Sequence, residues 1–482
     1  MSRLLRKNFI FLPELGYSMD LRKEIIEELL KHSILVEPDV VDFIIERGGK
    51  DYLPHFIEEY RSLEVVTLSS LKKEKKAAEK TAFSKPEASE YEWDFKVLMG
   101  EAELKIKEGG IEDFRSLFLD RYKRLARILG TQTQLRGYTE ISKLRGGEVK
   151  VIGMVDEIRI TSRGSLIFTL EDPSGRVECY YPEGSFLLND EVIGVVGNYS
   201  ENNDRIYVKD ILRPGVPIMK KNRKIAENIS VAIISDTHIG SKMFLESRWK
   251  KFLEWLKRGK GDAAGIKYLL IGGDLVDGIG IYPNQEEELE ILDIYNQYEK
   301  FAKYLEEVPD YIKIVMIPGN HDIVRNTEPQ PVLPEEVRKM FNGNVEFLPN
   351  PGIFSIHGYK FLMYHGTSLN DLVEMIPGMS YERIDEIMEY MLEARHLAPT
   401  YGSKVSIAPL PRDFLTIDIV PDVFITGHVH AFTYTMYKNI HLINASCWQS
   451  QTKYQKMMNF NPDPGKVAIL NLHTDKVKVL SF

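Results

Sequence analysis

The sequence predicts a multidomain α/β protein, with a small helical module at its start, a five-stranded barrel in its middle and an α/β domain at its end. Three observations support this assignment. Short apolar β runs alternate with helical stretches from about residue 228 onward, which is typical of strands buried between helices. Hydrophobic residues alternate with a period of two through residues 148–212. A separate helical pattern occupies residues 1–65.

Length and composition agree with several soluble domains. The chain has 482 residues, a formal net charge of −9 and 28% charged residues, and about 150 residues per domain predicts roughly three domains. Its only cysteines, Cys179 and Cys447, exclude a disulfide scaffold and a cysteine-rich zinc finger. No apolar run reaches the roughly 18 residues of a membrane-spanning helix, so we expect an intracellular, cytoplasmic protein with no membrane partner. The acidic balance argues against binding nucleic acid through bulk charge.

The helical module and the segment after it are the first two predicted parts. Asp20 is placed to cap a first helix, and Pro38 opens a second helix that Gly48 ends. A unit as small as residues 1–65 buries little apolar surface, so we expect an interaction module rather than an enzyme. Residues 66–92 are rich in lysine and glutamate, which indicates a charged linker.

Residues 93–215 are predicted to form a helical lead followed by the barrel. The lead is an amphipathic helix with a basic face, which is either solvated or in contact with nucleic acid. The basic residues of this face are Arg115, Arg121, Lys123, Arg124 and Arg127. The strand candidates are 148–161, 165–170, 175–181, 191–199 and 205–212. An OB-fold is the commonest five-stranded barrel, and it could bind single strands or pack against a partner subunit.

Residues 225–482 are predicted to form the α/β domain, where five buried strands each end in a polar cluster. These clusters contain, in order, Asp236 and His238; Asp274 and Asp277; Asn320, His321 and Asp322; His365; and His428 and His430. Ligands gather at the carboxyl ends of strands in such sheets, so we expect one shared site. Imidazole and carboxylate together suit Mn, Fe or Zn, whereas Mg prefers an all-oxygen shell. Glycines before Asp274, Asn320 and His428 would let the backbone turn sharply there.

These motifs together resemble the signature of calcineurin-like metallophosphoesterases. The signature consists of Asp-x-His, Gly-Asp-x-x-Asp, Gly-Asn-His-Asp, a lone histidine after a strand and Gly-His-x-His, and no member is missing here. The resemblance implies two divalent metal ions, for which we expect Mn²⁺, with Fe, Zn and Mg left open. One ion would be held by Asp236, His238, Asp274 and His430, and the other by Asp274, Asn320, His365 and His428.

The resemblance also implies roles for the remaining residues of the motifs. His321 would protonate the leaving oxygen or steady the phosphoryl charge. Asp277 and Asp322 would either fix the tautomer of a histidine or cap turns.

The order of the modules resembles that of the small subunits of archaeal D-family DNA polymerases. This resemblance covers essentially the whole chain, and it implies a proofreading 3′→5′ exonuclease that works on single-stranded or mismatched DNA ends beside a large polymerase subunit. Two alternatives stay open: a non-catalytic scaffold subunit, and a free-standing repair nuclease of the same superfamily. The chain departs from compact members by an insert at residues 366–427, which could gate the site or dock the partner.

Overall fold

The computed structural model describes residues 19–32, 34–60, 65–67, 85–99, 109–183, 186–220, 225–457 and 460–482. The chain divides into two compact units between Lys85 and Pro86. Most of the predicted charged linker, residues 68–84, lies outside the described residues. Within the described ranges, no helix has the length and apolar character needed to cross a membrane.

The described residues of the first unit form three helices and a pair of two-residue parallel strands. The helices are Met19–Lys31, Pro38–Glu46 and Leu53–Tyr60, and the strands are β1 (Leu35–Val36) and β2 (Val65–Val66). The second helix begins at Pro38, as the sequence predicts, because proline has no N–H to lose in a first helical turn. The first helix already includes Asp20, so this residue lies in its first turn instead of capping it. The apolar faces meet around Ile25, Ile44 and Phe56, which are fully buried.

The second unit contains a closed five-stranded barrel. Its strands are β4 (Gly147–Ile160), β5 (Leu166–Asp172), β6 (Gly175–Tyr181), β7 (Val192–Ser200) and β8 (Arg205–Leu212). They close in the order β4-β5-β6-β8-β7, with β6 and β8 parallel. Alternate residues such as Val151, Phe168 and Ile206 fill the interior and are fully buried. The period-two pattern in the sequence arises from this alternation.

The rest of the second unit is built on two six-stranded sheets. The strands of the first sheet are β9 (Ser230–Ile234), β10 (Ile266–Ile271), β11 (Lys313–Met316), β12 (Val345–Phe347), β18 (Lys466–Asn471) and β19 (Lys476–Ser481). Those of the second sheet are β3 (Phe95–Val97), β13 (Gly352–Ile356), β14 (Tyr359–Met363), β15 (Val423–Thr426), β16 (Thr433–Tyr437) and β17 (Ile440–Asn444). The first sheet has the order β12-β11-β10-β9-β18-β19, and the second has the order β16-β17-β15-β14-β13-β3.

The two sheets pack face to face and are covered by helices. Val231 and Leu270 from the first sheet meet Phe361 and Ile425 from the second in one buried cluster. The outer face of the first sheet is covered by Glu246–Arg258 and Ile294–Leu305, and that of the second by Leu369–Met375 and Ile384–Ala394. Two short helices, Glu335–Arg338 and Lys453–Met457, complete the α/β part. Because both faces of the central strands are covered, these strands read as unbroken apolar runs.

The α/β part begins earlier in the chain than the sequence predicts. Strand β3 (Phe95–Val97) pairs antiparallel with β13 and forms the edge of the second sheet. The Phe95 ring packs 5.4 Å from that of Phe354, and the indole of Trp93 donates a hydrogen bond to the carbonyl of Tyr311 at 3.0 Å. Residues 95–97, assigned from sequence to the helical lead, therefore belong to this sheet. A three-residue strand is too short for its alternation to be recognised.

This pairing predicts a sharp difference between two truncations. A chain lacking residues 1–85 is expected to fold, because Pro86–Phe482 forms a compact unit of its own. Removing residues 1–99 would also delete β3 and expose Phe354 at a new sheet edge, so its melting temperature should fall by a few degrees. Thermal unfolding followed by circular dichroism compares the two. Equal melting temperatures would show that β3 contributes no stability.

The basic helix Ile111–Leu129 does not present the face that the sequence suggested for nucleic acid. Arg121 is only 1% exposed, and its Nε donates to Asp413 Oδ2 at 2.6 Å. Arg124 is paired with Asp120 and Asp418. For these two arginines, therefore, neither alternative holds: they form neither a solvated face nor a surface free to bind phosphates. The sequence of a helix shows which of its faces carries charged residues. It does not show that carboxylates from a segment almost 300 residues later pair with them.

These ion pairs join the insert to the rest of the second unit. Besides Asp413, the Arg121 guanidinium donates to the carbonyl oxygens of Pro399 in the insert and of Asp190 beside the barrel. Burial alone would raise the pKa of Asp413, but Arg121 and His396 hold it well below its ordinary value. Burial lowers the pKa of His396 to about 4, so this ring is neutral at pH 7. The insert is thereby fixed to the helix.

Breaking this pair is expected to destabilise the second unit strongly. In Arg121→Ala the Asp413 carboxylate remains buried without its main cation, and removing one partner of such a pair costs about 3–5 kcal/mol. Urea unfolding followed by tryptophan fluorescence measures the change. Arg115→Ala on the same helix is the control, because Arg115 is exposed and pairs with Glu112 at 3.6 Å, and a surface pair contributes about 0–1 kcal/mol. Equal losses in the two variants would contradict the assignment.

Candidate metal centre

The polar clusters that follow the buried strands all lie at one edge of the two sheets. Asp236 and His238 follow β9, and Asp274 and Asp277 follow β10. Asn320, His321 and Asp322 follow β11, His365 follows β14, and His428 and His430 follow β15. Among the described residues, three groups of side chains have possible ligand atoms within 4.8 Å of one another. The structure thus brings residues together that are separated by up to 194 positions in the chain (430 − 236).

Five of these residues have a strained backbone. Asp236, His238, Asp274, His428 and His430 have φ angles of 52°, 47°, 48°, 67° and 52°. A residue other than glycine pays about 1–3 kcal/mol for such a conformation. Hydrogen bonds between the loops hold it: the His238 N–H donates to the Asp274 carbonyl at 3.1 Å, and the Asp236 carboxylate accepts from the His428 N–H at 3.0 Å. Strain concentrated in this way is typical of a functional site.

Glycines beside these residues allow the loops to approach closely. A Cβ at position 319 would overlap the Asp274 carboxylate, and a Cβ at 427 would overlap the side chain of Ser235. Neither Gly319 nor Gly427 has a positive φ, so here close approach, and not the sharp turn expected from sequence, requires the glycine. A side chain at either position would push the strand ends apart.

The first group of ligand atoms comes from Asp236, His238 and His430. The Nε2 atoms of the two histidines lie 3.0 Å apart, and Asp236 Oδ1 is 3.4 Å from that of His430. The other ring nitrogen of His238 donates to Asp277 Oδ1 at 3.0 Å, because a carboxylate oxygen accepts. This bond leaves the lone pair of His238 Nε2 directed into the group.

The second group comes from Asp274, His365 and His428, with Asn320 beside it. His365 Nε2 lies 3.3 Å from Asp274 Oδ2 and 3.1 Å from Asn320 Oδ1. The same Asp274 oxygen is 3.7 Å from His238 Nε2 in the first group. Asp274 is therefore the carboxylate that faces both groups.

The donor chemistry of the second group fits a bound cation. His365 Nδ1 lies 2.9 Å from the carbonyl oxygen of Gly272, which can only accept, so Nδ1 carries the proton of the neutral ring. Nε2 then presents a lone pair to two oxygens, those of Asn320 and Asp274, that are also electron-pair donors. Three electron-pair donors that converge in this way suit a metal ion, which would take the place of a proton on Nε2, and a second hydrogen bond at the far ring nitrogen is usual for ligand histidines.

The charges of the groups are strongly coupled. Burial opposes ionisation of Asp274, but His365, His321 and His238 lower its pKa well below the ordinary value. Burial also opposes the imidazolium of His365, yet Asp274 raises the pKa of that ring to about 10, so a cation that binds this group has to displace a proton from Nε2. Burial and the charge of His365 lower the pKa of His428 to about 3, so His428 is neutral and able to act as a ligand. Asp274 is therefore ionised at neutral pH.

His321 lies at the boundary between the site and solvent. Its side chain is 16% exposed, and its Nδ1 donates to the carbonyl of Asp277 at 2.6 Å. The free Nε2 lies 4.0 Å from Asp274 Oδ2, and His321 belongs to a third group with His238 and Asp274. Geometry thus allows His321 either to bind a cation or to exchange a proton at Nε2.

The two remaining motif residues have different contacts. Asp277 accepts from His238, Gln285 and Gln449, so it fixes the tautomer of His238. Asp322 instead accepts from the backbone N–H groups of Gly319 and Leu275 at 2.8 and 3.2 Å and from the Tyr298 hydroxyl at 2.7 Å. Burial raises the pKa of Asp322 to about 6. Its contacts are those of a residue that stabilises the loops.

A cleft of about 290 Å³ opens onto the groups, and sequence reasoning missed several of its residues. Asn370 Nδ2 lies 2.8 Å from His428 Nε2, and the Tyr381 hydroxyl donates to Asn370 Oδ1 at 3.0 Å. Gln455 Nε2 lies 2.9 Å from His430 Nδ1, and Phe460 lies beside it. These residues come from the insert and from the segment after β17, where no motif marks them. The insert therefore lines the cleft.

Comparison with known proteins agrees with this site. The model of the calcineurin-like phosphoesterase family matches residues 229–432, a range that includes every residue of the motifs. The chain is 37% identical over 470 residues to the DNA polymerase II small subunit of Thermoplasma acidophilum. This alignment covers 96% of this chain and 93% of that relative.

Two further relatives carry the same description. The DNA polymerase II small subunit of Methanothermobacter thermautotrophicus is 42% identical over 412 residues, covering 82% of this chain and 84% of its own. The DNA polymerase II small subunit of Archaeoglobus fulgidus is 38% identical over 472 residues, and the alignment covers 94% of this chain and 93% of that relative. Similarity of this extent includes the regions before the phosphoesterase match as well as the match itself. The chain therefore belongs to the family of archaeal DNA polymerase II small subunits and carries a calcineurin-like phosphoesterase domain.

Proposed function

We propose that this chain is a metal-dependent 3′→5′ exodeoxyribonuclease, the proofreading subunit of an archaeal replicative DNA polymerase. The observation that carries the proposal is the pair of ligand groups that the ionised Asp274 faces, in an open cleft. A vestigial site would not need five strained backbone positions, because each costs folding free energy. This argument disfavours the non-catalytic scaffold.

The proposed metal ligands are divided between two ions as the family signature implies. Asp236, His238, Asp274 and His430 would hold one, and Asp274, Asn320, His365 and His428 the other. Two such ions supply Lewis-acid polarisation of the phosphodiester and an activated water for in-line displacement at phosphorus. We propose Mn²⁺, because the set mixes imidazole with carboxylate and amide oxygens. Reconstitution with Mn, Fe, Zn and Mg in turn would identify the ion.

His321 is the residue proposed to act on the leaving group. Its Nδ1–H is held by the carbonyl of Asp277, so Nε2 is the atom that can carry a transferable proton into the cleft. When the bond between phosphorus and the 3′ oxygen of the preceding nucleotide breaks, protonation by Nε2 neutralises that oxygen. The products are a 5′-mononucleotide and a strand shortened by one residue.

The barrel supports a protein partner better than a DNA contact. Its strand order, with β6 and β8 parallel, supports assignment as an OB-fold. Three arginines on its surface are already paired with carboxylates: Arg159 and Arg205 with Glu178, and Arg176 with Asp156. Neutralised arginines attract few phosphates. We therefore propose that a large polymerase subunit covers this barrel and provides most of the DNA channel.

The proposed organisation follows from these assignments. Residues 1–65 would be an interaction module, 66–92 a linker, 93–215 the helical lead and barrel with its first residues in the adjacent sheet, and 225–482 the phosphoesterase domain. Such a subunit would act inside the cell at the nucleoid.

A labelled single strand tests direction and dependence on the partner. A 5′-labelled oligonucleotide is expected to shorten stepwise, whereas early release of labelled mononucleotide from that end would contradict a 3′→5′ direction. Because no lysine or arginine occurs among the described residues that line the cleft, we expect weak, salt-sensitive activity that rises at least about tenfold, or 1.4 kcal/mol, with a large subunit whose own catalytic residues are disabled. Equal rates with and without it would favour a free-standing nuclease.

A further inference from the structure

We propose that Tyr381 and Phe460 form a stacking site for the base of the terminal nucleotide, so that the cleft accepts a 3′ end only when its last base is unpaired. This inference rests on the proposed nuclease function and extends it to the choice of substrate. With such a stacking site, single-stranded and mismatched 3′ ends would both be substrates, and fully paired 3′ ends would not.

The two rings lie where a nucleoside next to the reacting phosphate would lie. Tyr381 is joined to the second ligand group by its hydrogen bond to Asn370, which contacts His428. Phe460 is joined to the first group, because its N–H donates at 2.8 Å to the carbonyl of Gln455, whose side chain contacts His430. Each ring is therefore one residue removed from a different ligand histidine.

The rings are arranged as a platform. Their centroids are 5.3 Å apart at 68°, an edge-to-face contact that holds both rings in fixed orientation. Both side chains are only partly buried and line the cleft, so ring surface remains accessible. The carbonyl of Phe460 accepts from Gln451 Nε2 at 2.7 Å, which anchors the backbone at this position. A base that stacks here meets a surface that needs little reorganisation.

The charges in the cleft leave stacking as the main means of holding a nucleoside. No lysine or arginine occurs among the described residues that line it, whereas Asp274 and Asp277 do. Phosphates beyond the one at the metal groups would gain no ion pair in the cleft. Stacking on aromatic side chains is independent of base identity and is a common way to bind single strands. A proofreading site must likewise accept any of the four bases.

The position of the two rings adds the requirement for an unpaired end. Both rings line the cleft of about 290 Å³ together with His238, Asp274 and His428 of the ligand groups, so a base that lies against them has left the stack of its duplex. Leaving the stack costs least when the base is mismatched or single-stranded.

The experiment combines ring removal with base removal. Wild-type protein, Tyr381→Ala, Phe460→Ala and Tyr381→Phe are assayed with Mn²⁺ on one single-stranded oligonucleotide that ends in either thymidine or a 3′-terminal abasic nucleotide. Binding of thymidine 5′-monophosphate and of deoxyribose 5-phosphate is measured in parallel by calorimetry. Tyr295→Ala is the matched control, because Tyr295 is an exposed tyrosine of the helix Ile294–Leu305 and does not line the cleft.

In wild type the abasic end should raise KM about tenfold, the equivalent of 1.4 kcal/mol, with kcat little changed. In Phe460→Ala and Tyr381→Ala this discrimination should nearly vanish while metal content is kept, and Tyr381→Phe and Tyr295→Ala should retain it. The stacking site would be overturned if both alanine variants still distinguished the thymidine end from the abasic end as wild type does. It would also be overturned if they lost activity equally on the two ends. If wild type degrades neither end, the nuclease proposal fails, and calorimetry decides the stacking site separately: equal affinity for the mononucleotide and the sugar phosphate would refute it.

Discussion

Asp274→Asn is expected to abolish phosphodiester hydrolysis and to lower the bound metal to one ion or none. Asp274 Oδ2 is 3.3 Å from His365 Nε2 and 3.7 Å from His238 Nε2, so this single carboxylate faces both ligand groups. Its surroundings keep its pKa well below the ordinary value, so it supplies negative charge throughout the neutral range. Asparagine has nearly the same shape but no charge, and one amide oxygen cannot serve two cations.

Metal content and hydrolysis should be measured on the same preparation. Atomic absorption after gel filtration gives the bound metal, and release of mononucleotide gives the rate, where we expect a loss of more than about 10⁴-fold. Asp322→Asn is the control: Asp322 also follows a strand at this edge, but it bonds to Gly319, Leu275 and Tyr298. That variant should bind both ions even if it is less stable. A fully metallated Asp274→Asn would refute the shared role.

The part of the site that could be predicted consists of residues that local sequence marks. A buried strand followed by a short polar cluster places Asp236, Asp274 and His428 at a sheet edge without any knowledge of tertiary contacts. The sequence could not reveal Asn370 or Phe460 as part of the cleft. Each lies in a segment with no motif, and it reaches the ligands only because the insert packs on the second sheet and the chain returns after β17.

The fold shows the same division between local and long-range information. The period-two pattern located the barrel strands, because alternation is a property of each strand alone. The burial of Arg121 on the helix Ile111–Leu129 could not be predicted, because this residue acquires its partner Asp413 only through packing. Strand β3 was missed for the opposite reason, since three residues carry too little pattern and its pairing with β13 supplies the structure.

His321→Ala is expected to slow DNA hydrolysis by about 10²–10⁴-fold, the usual contribution of a general acid or base, while metal content stays near that of wild type. The reason lies in the hydrogen bond from Nδ1 to the carbonyl of Asp277, which leaves Nε2 as the ring atom that faces the cleft. His321 also lies close enough to Asp274 and His238 to act as a ligand. Metal content therefore decides between the two roles, because a ligand variant would lose metal together with activity.

The leaving group gives an independent test of the proton that His321 is proposed to donate. A DNA 3′ oxygen is a poor leaving group and needs a proton, whereas 4-nitrophenolate leaves without one. His321→Ala should therefore be far less damaging with a nitrophenyl phosphodiester than with DNA. His321→Gln keeps an N–H donor for the Asp277 carbonyl but has no transferable proton, so it should not restore activity on DNA. If glutamine restores the rate, or if both substrates are slowed equally, His321 orders the loop instead of acting as an acid.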